Sequence, residues 1–256
     1  MIGSARSAEG QGPQSGSVPE GVRRQEGYRQ RYRLLNLGWR DSQEIYLGLV
    51  AQHMGPQVKV LDVGCGHADF LAPAYRVSEH IYGLEPDPVA LARNTTVKHK
   101  LEASVESIPM PDGFFDLATM AWVAEHLPRP LAALREIHRV LRPGGRLLVL
   151  TPNAWNYNAW LVRAVPNRFH DYLTRRLYGR QDRDTYPVRY RMNTPGKLDR
   201  LMAVAGFRRV RLILNGDPSY ISFNEPLFQL ARVLEGLFDL KGLRPARVHL
   251  IGLYER

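Results

Sequence analysis

The stretch with the most chemical promise is Val60-Leu61-Asp62-Val63-Gly64-Cys65-Gly66. A short run of strand-forming residues ends there in two glycines. Such a run suits a buried strand that turns sharply at its carboxyl end and lets a ligand approach the main chain. Several nucleotide-binding folds share this arrangement, so the loop alone names only a class of ligand. The dinucleotide spacing G-x-G-x-x-G is not met, because Asp69 holds the third glycine position. That argues against NAD and FAD. A second acid, Glu85 in Gly83-Leu84-Glu85-Pro86-Asp87, closes the next apolar run. A carboxylate so placed can accept both ribose hydroxyl protons of an adenosine. Its other reading is a helix-start acid before Pro88, a role that suits Asp87 better. A third segment, Ser104-Val105-Glu106-Ser107-Ile108-Pro109-Met110-Pro111, could meet an adenine edge through main-chain groups and a short polar side chain.

These residues need a frame to position them. Strand-like runs are expected at Val58–Val63, His80–Leu84, Leu101–Ala103, Phe114–Met120, Arg146–Leu150, Phe207–Leu214 and Arg247–Tyr254. Helical patterns fall at Ser42–His53, Ala68–Tyr75, Pro88–Lys98, Leu131–Leu141, Thr194–Ala205 and Glu225–Leu240. Strands alternating with helices imply a mostly parallel sheet covered on both faces. Tyr28, Tyr32, Leu35 and Trp39 also lie at helical spacing. Residues 1–27 are rich in Gly, Ser, Gln, Pro and Arg and are expected to form a disordered tail.

Further segments follow in order: Phe115-Asp116-Leu117, Glu125-His126-Leu127, and Val140-Leu141-Arg142-Pro143-Gly144-Gly145. Taken together, the chain resembles class I S-adenosylmethionine-dependent methyltransferases. It is most similar to the ubiquinone- and menaquinone-pathway group of small-molecule enzymes. The resemblance is strong over residues 58–152, with a weaker echo at Lys197–Phe207. It implies an α/β, Rossmann-like, seven-stranded and mostly parallel sheet with a C-terminal antiparallel strand. Residues 28–256 would form the methyltransferase domain, with segments 153–193 and 215–246 covering the substrate. It implies S-adenosyl-L-methionine as cofactor. Asp62, Gly64, Cys65 and Gly66 would lie beside its methionine part, Glu85 at the ribose, Ser104 and Val105 at the adenine, and Ala121 near the amino acid moiety. One departure is Ala68, where the family usually carries glycine.

Methyl transfer needs alignment and desolvation, and for an oxygen nucleophile a base as well. His126 and His170 are the candidates. His126 belongs to the family pattern and suits packing or cofactor support. His170 lies in the aromatic insertion beside Asp171. Tyr32, Asn153, Trp155, His170 and Tyr190 are the expected substrate-side residues, since the carboxyl edge of an open sheet is where ligands bind. No metal is expected.

The 256 residues carry a net charge of +10 and 44% hydrophobic content, which suits one globular domain. From Leu161 to Arg211 the balance is +9. That field favours an anionic small molecule, RNA or an acidic membrane surface, or it is a solvated Arg-rich face. An RNA methyltransferase and a non-catalytic, cofactor-binding partner subunit are therefore the rival readings. Against RNA, Met120-Ala121-Trp122-Val123 stands where an N-P-P-Y-like base-flipping motif would be. The single cysteine, Cys65, excludes an internal disulfide. No apolar run resembles a signal peptide or membrane span, so a cytoplasmic location is expected, with peripheral membrane contact through Glu225–Leu240 as an option. The acceptor, any base and the oligomeric state are not set by these patterns.

Overall fold

The computed structural model describes residues 20–67, 69–157 and 186–256. Its sheet comprises β1 (Val60–Val63), β2 (Ile81–Leu84), β3 (His99–Leu101), β4 (Phe115–Ala121), β5 (Leu141–Pro152), β6 (Arg208–Asn215) and β7 (His249–Glu255). The seven strands run in the order β3-β2-β1-β4-β5-β7-β6. β7 is antiparallel to both of its neighbours, and the remaining pairings are parallel. All four residues of β1 are buried, as expected for a central strand covered on both faces.

Among the described residues the helices are α1 (Glu20–Leu35), α2 (Ser42–Ala51), α3 (Ala72–Tyr75), α4 (Pro88–Arg93), α5 (Pro130–Val140), α6 (Pro195–Val204) and α7 (Glu225–Leu237). One apolar core joins α5 and α6 to one face of the sheet through Leu134, Ile137, Leu198 and Met202. A second joins α2 and α3 to the other face through Tyr46, Val50, Ala74 and Tyr75.

Strand register creates the site. Val63 pairs with Leu84 on one side and Met120 on the other. Gly64, Glu85 and Ala121 therefore leave three adjacent strands at the same level. Antiparallel β7 begins at this edge, because His249 pairs with Pro152 and with Asn215.

Several expected boundaries are corrected. α1 starts at Glu20, inside the supposed tail. Polar bonds hold it: Arg29 pairs with Asp217 at 3.0 Å and Arg31 with Glu225 at 2.5 Å. Tyr28 also stacks on Phe228. A low content of large apolar residues conceals such a helix from compositional reasoning. α4 stops at Arg93, short of the expected Lys98, because Asn94 takes an extended conformation. β3 begins two residues early, where His99 pairs with Tyr82 and stacks on its ring. β5 already begins at Leu141, with a register shift against β4 between Phe115 and Leu117.

Candidate active site

The turn after β1 is built on backbone that only glycine adopts easily. Gly64 has φ +65°, and a Cβ there would lie 2.4 Å from a Val123 methyl. The loop after β1 thus packs directly on the loop after β4. Gly66 has φ +45°, but no heavy atom lies within 4 Å of its Cβ position, so this turn borders open space. Glu85 is buried at the end of β2. Its Oε2 accepts the Gly66 N–H at 3.1 Å, and its Oε1 accepts the Asp87 N–H, also at 3.1 Å. The carboxylate therefore faces the glycine turn. Asp87 itself caps α4 through the Val89 N–H, so the two acids divide the two roles weighed from sequence.

Asp62 is buried beneath the loop. Its Oδ1 accepts from the Thr119 hydroxyl at 3.0 Å, and Thr119 Oγ1 lies 2.7 Å from the Tyr75 hydroxyl. Burial pushes its carboxyl up to about 7, with the nearby Glu85 charge adding to the rise and the Thr119 bond opposing it. Cys65 sends its side chain into the core. Its N–H donates to Leu84 O and its carbonyl accepts from Asn94 Nδ2. Burial raises its thiol pKa to about 12, so the group is inert near neutrality. Ser104 is exposed, its hydroxyl accepting the Glu106 N–H, and Val105 packs half-buried on the core. Ala121 ends β4, half-buried.

The expected substrate-side residues separate. Asn153 is buried, and its amide donates to Pro245 O and Arg247 O while accepting the Trp155 N–H. It braces the corner between β5 and β7 rather than presenting itself to a ligand. Tyr32 is buried edge-on against Trp39, with its hydroxyl pushed up to about 12 by burial and by the nearby Glu235. It is a packing residue of α1. Trp155 and Tyr190 are exposed. His126 Nδ1 lies 3.3 Å from Pro187 O, which ties the β4 loop to residues 186–191. His170 and Ala68, like residues 161–185 of the basic 161–211 stretch, lie outside the described residues.

Other residues at this edge carry no motif. Trp122, directly after β4, has φ 59°, a conformation that costs a bulky side chain about 1–2 kcal/mol. Its ring meets His249 edge-on. His249 is 3% exposed and is held between Ser42 and Tyr220 at 2.9 and 3.0 Å. Burial lowers its pKa to about 4, so the ring is neutral near pH 7. Asn94 is buried at the end of α4. Its Nδ2 donates to the carbonyls of Cys65 and Gly66, and its Oδ1 accepts from Thr96 and Val97 N–H. An Asn at a helix stop is the only sequence signal for this brace; Trp122 offers none, and His249 shows only as a polar residue opening an apolar strand. A hollow of about 380 Å³, lined by residues including His53, Asp116, Arg142 and Arg146, opens beside Val58 ahead of β1. It lies at the wrong end of the sheet for the ligand position of open α/β folds.

Strand order, antiparallel β7 and a glycine turn faced by an acid make the Rossmann-like fold of class I methyltransferases. A family model described as "Methyltransferase domain" matches residues 61–149. The ubiquinone/menaquinone biosynthesis C-methyltransferase UbiE of Agrobacterium fabrum is 29% identical over 67% of this chain and 71% of its own length. The enzyme of the same name from Rhizobium johnstonii is 30% identical, over 52% of this chain and 57% of its own length. An S-adenosylmethionine-dependent methyltransferase from Mesorhizobium loti shares the fold at a TM-score of 0.58 and 17% identity, covering 84% of this chain and 98% of that one. Residues 61–149 thus carry a methyltransferase domain of the class I S-adenosylmethionine-dependent kind, whose cofactor is S-adenosylmethionine.

Proposed function

We propose that the protein transfers a methyl group to a carbon atom of a small molecule. The observation that carries the cofactor half is the Glu85 carboxylate bonded to Gly66 N–H beside the open face of the glycine turn. The carbon acceptor rests on the similarity to C-methyltransferases.

When bound, the cofactor supplies a sulfonium methyl that a nucleophile attacks in line. In this reading Glu85 accepts the ribose hydroxyls. The Gly64–Gly66 main chain and Ala121 lie along the methionine part, and Ser104 and Val105 lie at the adenine. Asp62 supports the loop from below through Thr119 rather than contacting the acceptor. The acceptor enters beside Trp122, with Trp155 and Tyr190 as exposed aromatic surface for it. His249 is neutral there, so it can orient a hydroxyl such as that of Tyr220 without adding charge.

The test is titration of the full chain with S-adenosylhomocysteine. Two hydrogen bonds to a carboxylate are worth about 3–6 kcal/mol, so Glu85→Ala should weaken binding by roughly a hundredfold or more. Equal affinity in wild type and variant would remove Glu85 from the site. Incubation with labelled cofactor and metabolite extract, followed by identification of the product, tests the acceptor class. A product methylated on oxygen or nitrogen would overturn the carbon assignment.

A further inference from the structure

Glu85 already has three donors. Besides the N–H groups of Gly66 and Asp87, the Tyr186 hydroxyl donates to Oε1 at 2.9 Å. A carboxylate oxygen offers about two favourable acceptor directions. Oε1 is therefore filled by Asp87 and Tyr186, whereas Oε2 keeps one direction for a newcomer. A vicinal diol that engages both oxygens needs a place on each. We propose that Tyr186 is an intramolecular competitor for the cofactor's ribose, its hydroxyl holding the Oε1 position that one ribose hydroxyl must take. The inference rests on the reading of Glu85 as ribose acceptor.

The surroundings let the side chain leave without unfolding anything. Tyr186 is 48% exposed, so its ring can swing into solvent at little packing cost. The main chain behind it is fastened separately. His126 Nδ1 bonds Pro187 O, Arg189 and Tyr190 N–H donate to Glu125 O at 2.7 and 3.1 Å, and Arg191 bonds Pro128 O at 2.5 Å. The strap 186–191 thus stays on the β4 loop and keeps the phenol within reach of Glu85. When the ribose departs, the hydroxyl returns. The tyrosine lowers apparent affinity by the fraction of molecules in which it has already released Glu85. It would also shield a buried carboxylate that otherwise faces water with one bond unmade.

Calorimetric titration of the full chain with S-adenosylhomocysteine tests this, using wild type, Tyr186→Phe, Glu85→Ala and the double variant. Tyr186→Phe should bind about tenfold or more tighter, as expected for losing one competing bond to a carboxylate. The gain should shrink to less than about twofold for the 3′-deoxy analogue, whose remaining hydroxyl can use Oε2 alone. It should vanish when Glu85 is already alanine. Unchanged or weaker binding by Tyr186→Phe, with Glu85→Ala still impaired, overturns the competition and leaves the ribose assignment standing. Full binding by Glu85→Ala overturns both.

Discussion

Asn94 lies outside the sequence motifs, yet the structure makes it the brace of the glycine turn after β1. Its four hydrogen bonds run at 3.1 and 2.9 Å to Cys65 O and Gly66 O, and at 2.8 and 3.0 Å from Thr96 N and Val97 N. Each bond contributes about 1 kcal/mol net, and the buried partners of a deleted group add to the loss. Asn94→Ala should therefore destabilise the fold by roughly 3–4 kcal/mol. For a chain of this size that lowers Tm by about 10 °C. Asn94→Asp separates the two halves of the brace. It keeps an acceptor for Thr96 and Val97 but sets a carboxylate oxygen against two carbonyls. Both variants should weaken S-adenosylhomocysteine binding about tenfold or more, because both release Gly66. Only the alanine should also loosen residues 94–97, seen as faster amide exchange at Thr96 and Val97. Urea unfolding, titration and hydrogen exchange measure the three effects. If Asn94→Asp keeps wild-type stability and affinity, Asn94 does not hold the loop and the reasoning fails.

Gly64→Ala meets both a left-handed φ and a Val123 methyl at 2.4 Å. The backbone strain alone costs about 1–2 kcal/mol, so cofactor affinity and stability should both fall. Adding Val123→Ala should recover the steric part; no recovery would show that the contact is unimportant. Glu235 is buried beneath Tyr157, and a Cβ on Gly216 would lie 1.7 Å from its Oε2. Burial raises its pKa from 4.5 to about 7. Because the folded value is the raised one, its contribution to stability is fully present below pH 4.5 and is lost as pH rises through 7. At pH 8 the penalty is up to roughly 3 kcal/mol, so Glu235→Gln should gain on wild type between pH 4.5 and 8. Parallel stability–pH curves for the two proteins would sink this assignment.

Much of the frame was legible along the chain because its causes are local. Apolar periodicity marks α5. The Gly64 and Gly66 turns need glycine whatever lies around them. Thr194 followed by Pro195 starts α6, with its hydroxyl accepting the Lys197 N–H. That the glycine turn and Glu85 share one edge was also legible, because both directly follow strands of a parallel sheet, whose carboxyl ends lie on the same side. What escaped depends on partners far apart in sequence. Tyr186 reaches Glu85 across 101 residues, and Ser42 reaches His249 across 207. Asn153 and Tyr32, both of types that bind ligands, were assigned to packing and bracing by neighbours that only the fold supplies. α1 is held by Arg29 and Asp217, a pairing across 188 residues that its own composition does not announce. Local energetics, carried by each residue's own backbone and side chain, is written in the sequence. The choice of which polar groups saturate one another is made only when distant segments meet, and in this protein that choice decides what stands around the glycine turn and Glu85.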